Sequence, residues 1–401
     1  MGVLIRKQKG LIFTGMAKLA GGLFVSMLAF SLIDTIWAVY LDSFVNSAAI
    51  VGFISGFLAL ISFFSFFFII PIIEKNNKSK IYSYSLLLFT ISYILFAINT
   101  KFYLVIILAF IVTILHTLRI TSFGIIVRDK SSEKQLSRNE GLMYTFMNTA
   151  WLIGPLIAGF IAERYSISLV FVLSAVFIFL SFILFKISRI HDANIKKKAD
   201  YNVIKNFRDF FKKKDRFFSY ILGGGVNFWW SLIYLFVPLY IIRSGLHVKW
   251  VGYFLFAVAI PLILFQYKFS KMAGKIGFKK LFKIGFFIPF FFALLCFFVG
   301  NIYFVLLFLV LASFGLAILE PTTEAYFFDI LKGKQSLRFY GPYNTAIDIN
   351  HFISRLLSAS LLIFLPFKFV FLFFSVAMFF FFLVSFKTRA IIEKRRDGKK
   401  N

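Results

Sequence analysis

Apolar residues run along this chain in long blocks separated by short polar segments rich in lysine and arginine. A bilayer core of roughly 30 Å needs about 20 apolar residues per helix. Twelve blocks meet that length, near 19–41, 49–73, 81–99, 102–127, 141–162, 168–187, 219–242, 250–269, 281–300, 302–327, 339–365 and 367–386. They are too continuous for barrel strands of about ten alternating residues, and open strands would leave backbone groups unpaired in lipid. The pattern predicts an all-α polytopic membrane protein with 12 transmembrane helices. The first block outruns the roughly 7–15-residue core of a signal peptide and contains Asp34, so it reads as a span.

The polar segments add an orientation. Of 45 Lys and Arg residues, 38 fall on one set of alternate connections and the two ends. The positive-inside rule then predicts both termini cytoplasmic, in a multi-pass protein of the cell (plasma or inner) membrane. A net charge of +28 taken alone would suggest nucleic acid, but this distribution assigns it to topology and membrane lipids, with no nucleic-acid partner. With 60% hydrophobic residues, 61 of them Phe, and 15% charged, a soluble enzyme is a poor fit. Complete P-loop, H-E-x-x-H and nucleophile-elbow patterns are missing, which argues against ATP hydrolysis and other enzyme chemistry, and no cofactor or metal is implied. The single cysteine, Cys296, rules out an intramolecular disulfide.

Residues 189–217 form the one long polar stretch between the ends and divide the spans six and six. The division predicts an N-terminal bundle over 1–188, a basic linker over 189–217, a C-terminal bundle over 218–388 and a basic tail over 389–401. Within the linker, Val203, Ile204, Phe207, Phe210 and Phe211 recur at helical spacing, as in an amphipathic helix on the inner membrane surface. Sliding the chain on itself by 200 residues aligns Val51-Gly52 with Val251-Gly252, Tyr40 with Tyr240, and Asp129, Lys134, Gln135, Arg138 and Gly141 with their counterparts from Asp329 to Gly341. Two six-helix bundles of the same orientation are parallel repeats, the arrangement of a rocking carrier.

With these features the sequence resembles the major facilitator superfamily along its length. The loop between spans two and three of that family carries G-x-x-x-D-R/K-x-G-R/K. Here Glu74, Lys75 and Lys78 occupy the corresponding place, and the second-half copy keeps Gly277 and its bases but has Gly274 where the acid would stand. Span five, with Gly141, Ala150, Gly154, Pro155, Ala158 and Gly159, resembles the antiporter motif of the drug:proton exporters, with Ala at two Gly positions. Ala150, Gly154 and Ala158 are spaced by four, a small-residue stripe that lets another helix approach, and Pro155 favours a kink. The same stripe also suits ordinary packing in an importer.

A charged side chain at mid-span costs roughly 2.5–3.5 kcal/mol on insertion scales, so intramembrane charges point to function. Candidates are Asp34, Glu320, Glu324 and Asp348 as proton- or cation-coupling acids, with His116, Arg119, His351 and Arg355 as charge partners. The resemblance puts spans one, four, seven and ten around a central cavity, with Asn227, Trp229, Trp230 and Tyr234 on its wall. Asp34 is the first candidate for the proton site, with Arg119 modulating it, and the Glu320/Glu324 pair is the second. In a structural alternative, Glu320 or Asp348 pairs with Arg355 and fastens span ten to eleven. The resulting expectation is a monomeric, proton- or cation-coupled exporter of a small organic or lipophilic compound. The alternative is a symporter importing a sugar, peptide or other metabolite.

Overall fold

The computed structural model describes residues 15–130, 136–188, 203–331 and 335–392. Twelve spans are present among them. In the first half they are Gly15–Val45, Ala48–Lys75, Lys78–Ile98, Phe102–Lys130, Leu136–Arg164 and Ile167–Ile187. In the second half, span seven runs over Lys214–Arg243. Lys249–Ile276, Phe278–Phe298, Ile302–Asp329, Gln335–Phe364 and Lys368–Ser385 complete the set. The expected blocks and the observed helices coincide, the helices extending a few residues beyond the apolar stretch at several ends. Short connections are closed by side-chain caps: Ser47 accepts from the Ile50 amide, Asn77 from Lys80, Ser166 from Leu169 and Asn301 from Tyr303. At the eight–nine turn Gly277 takes a φ of +80°, open to glycine at little cost, and so supplies the stop and the reversal together. The basic tail beyond residue 392, most of the linker, and the side chains of Glu74 and Lys75 lie outside the described residues.

Packing repeats across the halves. Span one lies on five and six, three on four and six, and two on four; seven lies on eleven and twelve, nine on ten and twelve, and eight on ten. Two seams join the halves, five on eight and two on eleven, and they are counterparts under the 200-residue offset. The offset reaches individual contacts. A Cβ on Gly252 would fall 2.4 Å from the Pro155 carbonyl oxygen and 3.2 Å from the Gly159 Cα, while one on Gly52 would fall 2.8 Å from the Cβ of Ala359. Gly159 and Ala359 are offset mates, as are Gly52 and Gly252. Helices pack this closely in lipid through van der Waals contact, which small residues permit.

At the face away from the linker, ionic contacts also tie the halves together. Arg243 donates to Asp42 at 2.7 Å, and Glu163 lies 3.2 Å from His247 and 3.8 Å from Lys249. At the opposite face the linker contributes a helix, Val203–Phe211. The expected amphipathic helix is there, but protein rather than lipid covers its key ring. Phe210 is fully buried and packs against Tyr220, Phe327 and Phe339, and the Phe207 ring lies tilted against Phe67 of span two at 5.1 Å. Nine residues are too few for an independent helix, so tertiary contacts hold it. Arg216 donates to the Asp209 and Phe210 carbonyls at its C-terminus, and Arg338 of span eleven bonds Asn206 and Asp209. Arg338 and Lys212 hold the Asp209 carboxyl below its ordinary range through hydrogen bonds, that from Lys212 first.

Candidate functional site

A cavity of about 390 Å³ lies between the halves at mid-span, lined by residues of spans one, five, seven, eight, ten and eleven. Asp34 and Trp37 come from span one, one helical turn apart and so on one face. Asn148 and Trp151 come from span five, Gln266 from span eight, and Glu320 from span ten. His351 and Arg355 come from span eleven, again one turn apart. Span seven supplies Asn227, Trp230 and Tyr234. That span is not a uniform α-helix. Its residues Leu232–Phe236 form a π-helical turn, which widens the helix where Tyr234 enters the wall.

The acids in this wall are held differently. Glu320 accepts from the Trp230 indole Nε1 at 2.8 Å with one oxygen and from the Gln266 amide with the other. Asp34 is exposed to the cavity and has no hydrogen-bond or ion-pair partner among the described residues. Across the cavity Arg355 donates one Nη1 bond to the Ser55 carbonyl at 3.0 Å, while its Nε has no partner. Arg355 and Asp34 are close enough to interact electrostatically but form no ion pair. His351 bonds Ser231 through Nδ1 at 2.7 Å. Trp151 meets Tyr234 edge-on at 5.5 Å, and Trp230 lies 5.4 Å from Tyr234, so three rings form one corner.

Other expected site residues lie elsewhere. Trp229, expected on the cavity wall, is instead fully buried, edge-on to Phe374 of span twelve at 6.4 Å, because its neighbour Trp230 takes the cavity-facing direction. Arg119 is 1% exposed inside the N-terminal bundle, its guanidinium 4.1 Å above the Phe30 ring, and it makes no ion pair with Asp34. His116 is edge-on to the same ring at 5.8 Å. Glu324 accepts from the Tyr340 hydroxyl at 3.0 Å rather than sharing the cavity with Glu320. Asp348 lies off the cavity wall, beside Ser62 of span two. Neither Glu320 nor Asp348 forms an ion pair with Arg355, so the expected alternative of a fixed clamp between spans ten and eleven does not hold.

The span-five residues act as packing surfaces. Gly154 faces Ser31 of span one, where a Cβ would meet the hydroxyl, and Gly159 faces Gly252 of span eight. Ala150 and Ala158 are fully buried, Pro155 sits within a continuous helix and Gly141 lies in its first turns. Lys78 opens span three. Sequence reasoning passed over Trp37 and Gln266. A polar amide in the run Leu262–Phe265 to Phe269 was a visible signal, as was an indole one turn after Asp34.

Twelve spans in two offset-related bundles around a mid-span cavity match a family as well as a geometry. Residues 19–288 match the Major Facilitator Superfamily. The chain belongs to that superfamily. Among curated proteins none matches the sequence. Solved structures similar to this facilitator include a POT family transporter in complex with 5-aminolevulinic acid, at 13% identity and a TM-score of 0.78, covering 95% of this chain and 97% of the other. The nucleoside transporter NupG aligns with a TM-score of 0.72 at 13% identity, covering 93% and 99%. A bacterial homologue of the human lysosomal transporter Spinster, inward-facing and unoccupied, aligns with a TM-score of 0.72 at 14% identity, covering 92% and 96%. At such identities the likeness concerns the fold. This facilitator is a multi-pass membrane protein and a secondary transporter of small molecules, not an enzyme.

Proposed function

We propose that this facilitator couples the movement of a small organic solute to protons, and that Asp34 is the exchange site. The observation that carries the reading is the unpartnered Asp34 carboxylate on the wall of a cavity between the two halves. A carboxylate at mid-membrane is costly while charged, and either a proton or a cationic group on the solute relieves that cost. One carboxylate cannot serve both at once, so loading alternates and the two species move in opposite directions. With protons running inward the solute is exported. The likeness of span five to the drug:proton exporters agrees with that direction, although its small residues are engaged in helix packing.

Glu320 supports a second reading. It is a separate acid on the opposite half, so a proton there and a solute on Asp34 can travel together, which is symport. Proteoliposomes holding a pH-sensitive dye distinguish the two when lipophilic cations, sugars, amino acids and small peptides are added in turn. Proton movement opposite to the solute is the expected result. Co-directional movement makes the protein a symporter, and intact pH-driven transport in Asp34→Asn removes Asp34 as the coupling residue.

A further inference from the structure

Of the three charged groups on the cavity wall, Asp34 and Arg355 lie on different halves and have opposite sign. Asp34 belongs to span one and has no partner among the described residues. Arg355 belongs to span eleven and lines the cavity; of its five N–H donors one is committed to the Ser55 carbonyl and Nε is buried without a partner, which leaves the other Nη donors for a ligand. No carboxylate pairs with it among the described residues. Glu320, the third charge, is held in place by one neutral donor to each oxygen, from Trp230 and Gln266, and so is less free than Asp34 to turn toward a ligand. Trp37, Trp151, Trp230 and Tyr234 bring aromatic surface to a wall that also carries Asn148, Asn227, Gln266 and His351. A cavity of about 390 Å³ is at the small end of the roughly 300–1,000 Å³ range of ligand sites.

We infer that the cavity selects a small zwitterion with an aromatic or apolar body, its ammonium on Asp34 and its anionic group on Arg355. This rests on the carrier reading above and names its substrate class. A guanidinium and a carboxylate that form no ion pair with each other are each stabilised by a ligand group of opposite charge, and Arg presents a planar fork to a carboxylate. A ligand with only one charge satisfies one wall and leaves the other group unpaired. A zwitterion satisfies both and thereby joins a residue of the first half to one of the second. Binding energy is then available for drawing the halves together around the solute, which a one-wall ligand cannot supply. The rings accept the body of the molecule by stacking and apolar contact.

The test is a charge series on one scaffold, read by quenching of the intrinsic tryptophan fluorescence of the purified full chain. The probes are phenylalanyl-alanine, its C-terminal amide and its N-acetyl derivative, together with alanyl-alanine for the contribution of the ring. The zwitterion is expected to bind at least about tenfold more tightly than the amide or the acetylated form. Arg355→Gln is expected to abolish the preference over the amide, with Arg355→Lys restoring part of it. Asp34→Asn is expected to abolish the preference over the acetylated form. Equal binding of the amide and the zwitterion, or an unchanged preference in Arg355→Gln, overturns the inference, and so does a failure of every probe to bind. Proton flux evoked only by lipophilic cations or sugars would leave the carrier reading standing and this one refuted. Binding of the series in the predicted order without any flux would do the reverse.

Discussion

The seams between the halves and the walls of the cavity descend from the same repeat, yet they have fared differently. At one seam Gly159 lies on Gly252, and at the other Ala359 lies on Gly52, each residue 200 positions from its counterpart. In the cavity the same offset sets Asp34 against Tyr234 and Trp151 against His351. Off the wall it sets Asn148, which lines the cavity, against Asp348, which does not. The seams must slide or rock against each other in both halves, so steric demand is equal and small residues recur. The cavity must bind one asymmetric solute, so equal walls would be of little use. Symmetry is kept where the constraint is contact distance and lost where it is chemistry.

The sharpest way to break that comparison is to neutralise one wall. Asp34→Asn is expected to abolish proton coupling in the dye assay while the thermal transition of the purified protein stays within a few degrees of the parent. A large loss of stability instead would make Asp34 a structural residue.

Adjacent indoles give the next contrast. Trp229→Ala empties a fully buried site and is expected to cost about 3–5 kcal/mol, read as a fall in the unfolding midpoint. Trp230→Phe keeps the ring but removes the donor to Glu320, so it is expected to weaken solute binding several-fold with little change in the midpoint. Equal effects of the two would erase the distinction between wall and core.

The seams differ in how they would yield. In Gly252→Ala the new methyl meets a backbone carbonyl, which cannot move aside, and overpacking of this kind costs about 1–3 kcal/mol. In Gly52→Ala it meets the Ala359 Cβ at 2.8 Å, fixed to its own helix but less close than the carbonyl oxygen at 2.4 Å in Gly252→Ala, and the edge of the Phe236 ring, which can turn. Gly252→Ala is therefore expected to lower the transport rate more than Gly52→Ala. The opposite order would show that the two seams do not bear equal loads.

Two smaller effects concern the ends. The Asp42–Arg243 pair is partly exposed, so Asp42→Asn is expected to cost no more than about 1 kcal/mol, seen as a shift toward labelling of the cavity from the face away from the linker. At the linker face, Asp209 has a lowered pKa, so its contribution is complete above the ordinary carboxylate range and is lost only as pH falls through the lowered value. Relative to a free thiol at the same pH, labelling of Phe207→Cys is expected to be flat from pH 8 to about 5 and to rise only in stronger acid. The native Cys296 is buried and gives a low background.

Hydrophobic block length and the placement of lysine and arginine were enough to read the number of spans, their order and the six-plus-six division. Those properties depend on transfer from water to lipid, which acts residue by residue. The offset between halves was legible too, because a contact such as Gly252 on Gly159 tolerates so few alternatives. The amphipathic spacing of Val203, Phe207 and Phe210 identified the linker helix, but whether lipid or Phe327 and Phe339 covers it is a question of which surface lies nearest. The choice between Trp229 and Trp230 was likewise beyond the sequence. Adjacent helical residues point about 100° apart, and a π-helical turn shifts the register just beyond them. Intramembrane charges could be named but not paired: Glu320 with Trp230 and Gln266, Glu324 with Tyr340, and Asp34 and Arg355 without ionic partners are outcomes of distances between spans far apart in the chain. Partition between water and lipid is additive along a sequence. Ion pairing falls off within a few ångströms, so only the packed bundle decides it.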